Sequence, residues 1–126
     1  MGVLITLKEK MFDDEWLEGH LTRKLEEFST SEKFVVRIQS LFMVKKVHSH
    51  VSEKFLNEKV CPVLIKLAAD PVPNIRFNVA KTFELVYKRI SNSNKLKCQQ
   101  CLKDMENGAD TDFDVKYYAQ HALAEM

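Results

Sequence analysis

One spacing constrains this chain more than any other feature. A polar residue is followed six positions later by a basic residue that itself follows a β-branched apolar one. The pattern occurs three times: Ser31 to Val36-Arg37, Asp70 to Ile75-Arg76, and Asp110 to Val115-Lys116. The basic residues lie 39 and 40 positions apart. A period near 40 in a helix-rich sequence is the mark of a solenoid, in which each unit buries its apolar face only by stacking on its neighbours. Solenoids generally present binding surfaces rather than catalytic pockets.

The rest of the sequence reads as helices at the same stride. Ile75, Val79, Phe83, Val86 and Ile90 form one helical stripe, widened by Phe77, Ala80 and Tyr87. Val115, Ala119, Ala122, Leu123 and Met126 repeat it, as do Val36, Val44 and Val47, where Ser40 alone breaks the column. Between these B helices lie A helices. One carries Leu17, Leu21, Leu25 and Phe28, the next Phe55, Leu56, Val60, Leu64, Leu67 and Ala68, the third Leu96, Cys101, Leu102 and Met105. The expected order is A helix, short turn, B helix, link.

Local signals punctuate the pattern. Pro71 and Pro73 forbid a continuous helix through the second turn. Asn74 is expected to cap the helix that follows, and Asp112 or Asp114 the last one. Ser91-Asn92-Ser93-Asn94 reads as the link between the second and third units. Pro62 is expected to bend its helix or to sit beside a break after Glu58-Lys59. The expected organisation is a single array: 1–15 the end of a preceding helix, with Gly2 to Phe12 as a stub, then units 16–52, 53–92 and 93–126. About three units plus a stub are expected of a segment of a longer solenoid, or of a short one with imperfect caps.

Composition narrows the function classes. The chain has 126 residues, 45% hydrophobic and 29% charged, with a net charge of +1. These proportions support a core, and a basic stripe suited to nucleic acid is not indicated. Three glycines and three prolines are too few for an all-β chain. No apolar run reaches the roughly 18 residues that span a bilayer, and the first residues lack a basic leader region. Met1-Gly2-Val3-Leu4-Ile5-Thr6 fits an N-myristoylation pattern and equally the interior of a helix. The odd set Cys61, Cys98 and Cys101 suits a reducing compartment, so the cytoplasm, with the nucleus as a second location, is the expected setting.

Catalytic and metal readings find little support. Cys98 and Cys101 have no second Cys/His pair at zinc-binding spacing, although His121 could approach in space. His48 and His50 stand two apart and do not share a helical face. Asp13, Asp14 and Glu15 suit a helix N-terminus. No glycine-rich phosphate loop or nucleophile elbow is present. No metal, cofactor or enzymatic role is expected.

Pro62, Asp70 and the Ile75-Arg76 pair stand at the spacing of the HEAT motif. The run DPVPNIRFNVAKTFELV, from Asp70 to Val86, resembles a C-terminal repeat of the scaffold (A) subunit family of protein phosphatase 2A. DFDVKYYAQHAL, from Asp112 to Leu123, resembles that family's last repeat; FDDEW and RIQSLF are weaker matches. HEAT-repeat regulatory subunits of protein phosphatase 4 share the pattern. Ser31 in place of aspartate, Leu102, the CQQC run and Tyr117-Tyr118 depart from it.

The resemblance implies an all-α HEAT-repeat α-solenoid, armadillo-like, and a non-catalytic scaffold or regulatory module. It implies that the turns within repeats hold a serine/threonine phosphatase catalytic subunit, with further regulatory subunits as additional partners. Carried over by position, the turns are Thr30 to Phe34, Asp70 to Asn74 and Asp110 to Asp114, with Asp70, Pro71, Val72, Pro73 and Asn74, then Thr111, Asp112, Phe113 and Asp114, as the partner-binding residues. Arg37, Asp70, Arg76, Asp110 and Lys116 match an acidic–basic ladder between repeats. The alternative is a general adaptor or transport solenoid that binds a partner along the concave helix-B face.

Overall fold

The computed structural model describes residues 14–107 and 112–126. The stub from Gly2 to Phe12, Met1 to Thr6, and the turn residues Asp110 and Thr111 lie outside them. Among the described residues there are six helices and no strand. Helices α1 (Asp14–Ser29), α2 (Phe34–Val47), α4 (Pro73–Val86), α5 (Asn92–Glu106) and α6 (Phe113–Glu125) are single segments. Helix α3 runs continuously over 53–67 through segments Glu53–Phe55, Leu56–Val60 and Cys61–Leu67. Short 3₁₀ turns, His48–His50 and Tyr87–Arg89, finish α2 and α4. The fold is all-α, with antiparallel pairs stacked in a HEAT-like array.

The stripes read from the sequence form the core. Leu17, Leu21 and Leu25 of α1, Leu56, Val60 and Leu64 of α3, and Cys98 and Leu102 of α5 are buried. Facing them are Val44 and Val47 of α2, Ile75, Val79, Phe83 and Val86 of α4, and Val115, Ala119 and Ala122 of α6. Burying each large apolar side chain contributes roughly 1.5–3 kcal/mol. Ser40, in the column of Val79, is fully buried yet satisfied: its hydroxyl donates to the Arg37 carbonyl at 2.7 Å. Helix α2 packs on α4 and α4 on α6, while α3 packs on α1 and α5.

Three local expectations need correction. Asn74 does not cap α4. Val72 is the cap residue, Pro73 occupies the first turn, and the Val72 carbonyl accepts from the Ile75 and Arg76 amides at 3.0 and 3.3 Å. Asn74 instead accepts from the Asn78 side-chain amide, through its carbonyl at 2.7 Å and its Oδ1 at 3.0 Å. The link between the second and third units is shorter than expected. The Ser91 hydroxyl caps the Asn94 amide at 3.2 Å, which draws Asn92 to Asn94 into the first turn of α5. Pro62 breaks nothing: a π turn over Leu56–Val60 precedes it, closed by the Cys61 amide on the Leu56 carbonyl. Proline has no amide hydrogen for the usual bond, and a wider turn beside it accommodates the loss. Asp112 does cap α6, accepting from the Val115 amide at 3.1 Å.

Candidate functional site: the turn edge and its ties

The first two A–B turns are built from the same bonds, displaced by one repeat. The Ser31 amide donates to the Phe28 carbonyl at 3.3 Å, and the Asp70 amide to the Leu67 carbonyl at 3.1 Å. The Ser31 hydroxyl accepts from the Lys33 amide at 3.2 Å, and Asp70 Oδ1 from the Val72 amide at 3.0 Å. Arg37 Nη1 donates to the Ser31 carbonyl at 3.1 Å, and Arg76 Nη1 to the Asp70 carbonyl at 2.8 Å. The six-residue spacing is therefore the reach of an arginine from the first turn of a B helix back to a main-chain oxygen. A carbonyl is available on any residue, which is why serine can stand where aspartate stands one repeat later. The cap residues Lys33 and Val72 share nearly the same backbone, φ −88° and ψ 122° against φ −90° and ψ 118°.

Aspartate adds a tie that serine cannot make. Arg37 Nε donates to Asp70 Oδ2 at 2.7 Å and Nη2 to Asp70 Oδ1 at 3.1 Å, a two-pronged salt bridge from one repeat to the next. Asp70 is buried, and its bond holds the Arg37 pKa above its usual value against the opposing effect of desolvation. Arg37 also donates to the Glu32 carbonyl at 3.0 Å. Arg76 occupies the place of Arg37 in α4, and Lys116 in α6. Asp110, which the ladder expectation set one stride after Asp70, lies outside the described residues.

At the opposite end of the helices a second set of ties appears that the sequence reading missed. Glu18 of α1 accepts from the Ser52 amide at 2.7 Å and the Ser52 hydroxyl at 3.1 Å. Asn57 of α3 accepts through Oδ1 from the Ser91 amide at 2.7 Å and the Asn94 side chain at 2.8 Å. Both serines cap the following A helix. Arg89 reaches back to the preceding link, donating to the His48 carbonyl and, at 2.6 Å, to the Val51 carbonyl. Burial, the Arg89 charge and His50 together push the His48 pKa down.

The predicted partner-binding residues lie at one end of the stack. In the second turn Pro71 and Asn74 are exposed, Val72 and Pro73 half-buried, and Asp70 buried. In the third, Phe113 and Asp114 are exposed and Asp112 is half-buried, while Thr111 lies outside the described residues. Phe113 is 80% exposed, the most exposed large apolar side chain among the described residues. At the equivalent positions stand Pro73 and the exposed Phe34, so each B helix opens with an apolar residue on this edge. Phe34 closes the first of the expected turns, whereas its exposed neighbour Val35 lies just beyond it; a 39- and 40-residue stride relates Phe34, Pro73 and Phe113.

The cysteines occupy the core instead. Cys61 and Cys98 are buried and Cys101 is partly so. Burial raises all three thiols, Cys61 to about 11. His121 is bonded through Nδ1 to Glu84 Oε1 at 2.8 Å. Among the described residues no group of three metal-ligating side chains forms, and no helix is long and apolar enough to cross a membrane.

Stacked helix pairs, a recurring turn and side-chain ties at a one-repeat stride define a HEAT-type repeat array. The chain is an A-subunit-like HEAT-repeat chain, similar to the regulatory A subunits of protein phosphatase PP2A. The PP2A regulatory A subunit of Saccharomyces cerevisiae is 32% identical over 124 residues, covering 92% of this chain and 19% of that protein. The Schizosaccharomyces pombe protein of the same name is 34% identical over 53 residues, 42% of this chain and 9% of that protein. The PP2A 65 kDa regulatory subunit of Drosophila melanogaster is 45% identical over 58 residues, 46% of this chain and 10% of that protein. The chain thus spans about a fifth or less of the length of these relatives. No family model matches it.

Proposed function

We propose that this chain is a non-catalytic scaffold or regulatory module that binds a phosphatase 2A-type serine/threonine phosphatase catalytic subunit through its intra-repeat turns. The observation that carries the reading is the edge formed by the exposed Phe34, Pro71 and Phe113 and the half-buried Pro73, backed by the similarity to PP2A regulatory subunits. Phe34, Pro71 and Pro73 sit on turns pinned by Arg37 and Arg76, so little conformational freedom is lost there on docking. Apolar groups on a rigid, polar-rimmed edge suit a protein partner. The arginine–aspartate ladder is structural in this reading: it sets the angle between repeats and hence the spacing of the turns. Cytoplasm and nucleus are the compartments in which such a phosphatase would be met.

The test is direct binding of purified phosphatase 2A catalytic subunit to the chain, measured by calorimetry. Pro73→Glu and Phe113→Glu should each weaken binding at least about tenfold, as expected for apolar groups central to an interface, while the melting temperature is preserved. Binding that both variants retain, or no binding by the parent chain, would overturn the turn-edge reading.

A further inference from the structure

A second surface lies on the B-helix face, away from the turns. A groove of about 350 Å³ is lined by Lys45, Lys81, Glu84, Leu85, Tyr118 and His121, from all three B helices. Its two lysines are held by neutral partners. The Lys45 ammonium donates to Asn78 Oδ1. The Lys81 ammonium lies 4.3 Å from the centroid of the Tyr118 ring and 5.6 Å from that of Phe77, which stack on each other at 5.3 Å. Among the described residues neither lysine is in salt-bridge range of a carboxylate. The one acid in the groove, Glu84, is bonded to His121.

We propose that this groove receives an acidic segment of a protein partner, with a carboxylate set between Lys45 and Lys81 and an apolar side chain against Leu85 and Tyr118. The argument is charge complementarity on a preformed surface. Lys45 is half-buried, and its ammonium is disfavoured first by that burial and then by the Lys81 charge. An incoming carboxylate supplies the missing counter-charge. Where water is partly excluded, that attraction is screened less than at an open surface. Leu85 is 44% exposed and gives an apolar contact beside the charges. The rings hold Lys81 in place, so its ordering cost is met before the partner arrives. The proposal is independent of phosphatase binding at the turn edge.

The experiment is a titration of the isotope-labelled chain with a peptide of alternating glutamate and leucine, read by amide chemical shifts. A lysine–leucine peptide and an oligothymidylate serve as comparison probes. Shifts should cluster at Leu85, Tyr118 and His121, appear with the acidic peptide alone, and diminish as salt is raised. The pair Lys45→Gln and Lys81→Gln should weaken binding roughly tenfold or more. Lys81→Gln alone, at a partly exposed position, keeps the test available if the pair perturbs the fold. Millimolar acidic peptide without shifts, shifts unchanged in the variants, or equal shifts with either comparison probe would each overturn the proposal; the last with oligothymidylate would assign the groove to nucleic acid.

Discussion

Arg37 and Asp70, 33 residues apart, close a two-pronged salt bridge whose acceptor also caps its own turn through the Val72 amide. One buried carboxylate thus joins the B helix of one repeat to the A–B turn of the next. Substituting either partner strands the other.

Asp70→Ala should therefore lower the melting temperature more than Ser31→Ala, although the two residues hold equivalent places in their turns. Combined with Arg37→Ala, it should be markedly less than additive, because the two substitutions remove one shared interaction. Thermal denaturation of the four forms in a double-mutant cycle measures this; additivity would show that the pair is energetically idle.

The second set of ties predicts an asymmetry between two equivalent serines. Ser52→Ala and Ser91→Ala should each cost about 1 kcal/mol as lost helix caps. Aspartate, otherwise a good cap, should separate them. Ser52→Asp places a second carboxylate against Glu18, whereas Ser91→Asp meets the neutral Asn57 and Asn94. Denaturant unfolding should find Ser52→Asp clearly destabilised and Ser91→Asp near the parent.

How far the architecture could be read in advance follows from the kind of interaction involved. Helix stripes such as Ile75, Val79, Phe83 and Val86 depend on spacing alone and are visible in one sequence. So is the six-residue spacing, because an arginine side chain has a fixed reach. The Glu18 and Asn57 ties were not legible. The two residues share a role, accepting from the next repeat's serine, but not a side-chain type. Asn74 was misplaced because the extended backbone of Val72 and the proline after it set the start of α4 two residues earlier than side-chain preference suggests. Ser91 to Asn94 looked like a link because the same polar residues favour caps and loops alike. On the turn edge, the two prolines marked the second turn as a helix break, whereas the partial burial of Val72 and Pro73 and the exposure of Phe34 depend on how the helices sit on their neighbours.

Core and edge should respond oppositely to truncation. Phe83 is 1% exposed and among the largest buried side chains, so Phe83→Ala should cost about 3–5 kcal/mol. Phe113 is 80% exposed, and Phe113→Ala should change stability by no more than about 0.5 kcal/mol. Calorimetric or denaturant unfolding distinguishes them.

The buried thiols predict alkaline sensitivity. Burial pushes Cys61 from 9.0 to about 11 and raises Cys98 and Cys101 too. Between about pH 9 and 11 the unfolded chain has lost the Cys61 proton while the folded chain retains it. The unfolded state then binds fewer protons, so stability falls as pH rises through that window. Below pH 9 the thiols should leave stability independent of pH. Alkylation of the native chain should be slow at all three positions, with the partly exposed Cys101 first. Mass spectrometry after brief iodoacetamide treatment reads the order.

Because Arg37 and Arg76 hold main-chain oxygens, the shape of each turn is insulated from the chemistry of its outward side chains. Residues such as Pro71 and Asn74 can be exchanged to suit a different partner without redrawing the loop that presents them. An array built in this way can acquire new recognition on an unchanged frame, one turn at a time.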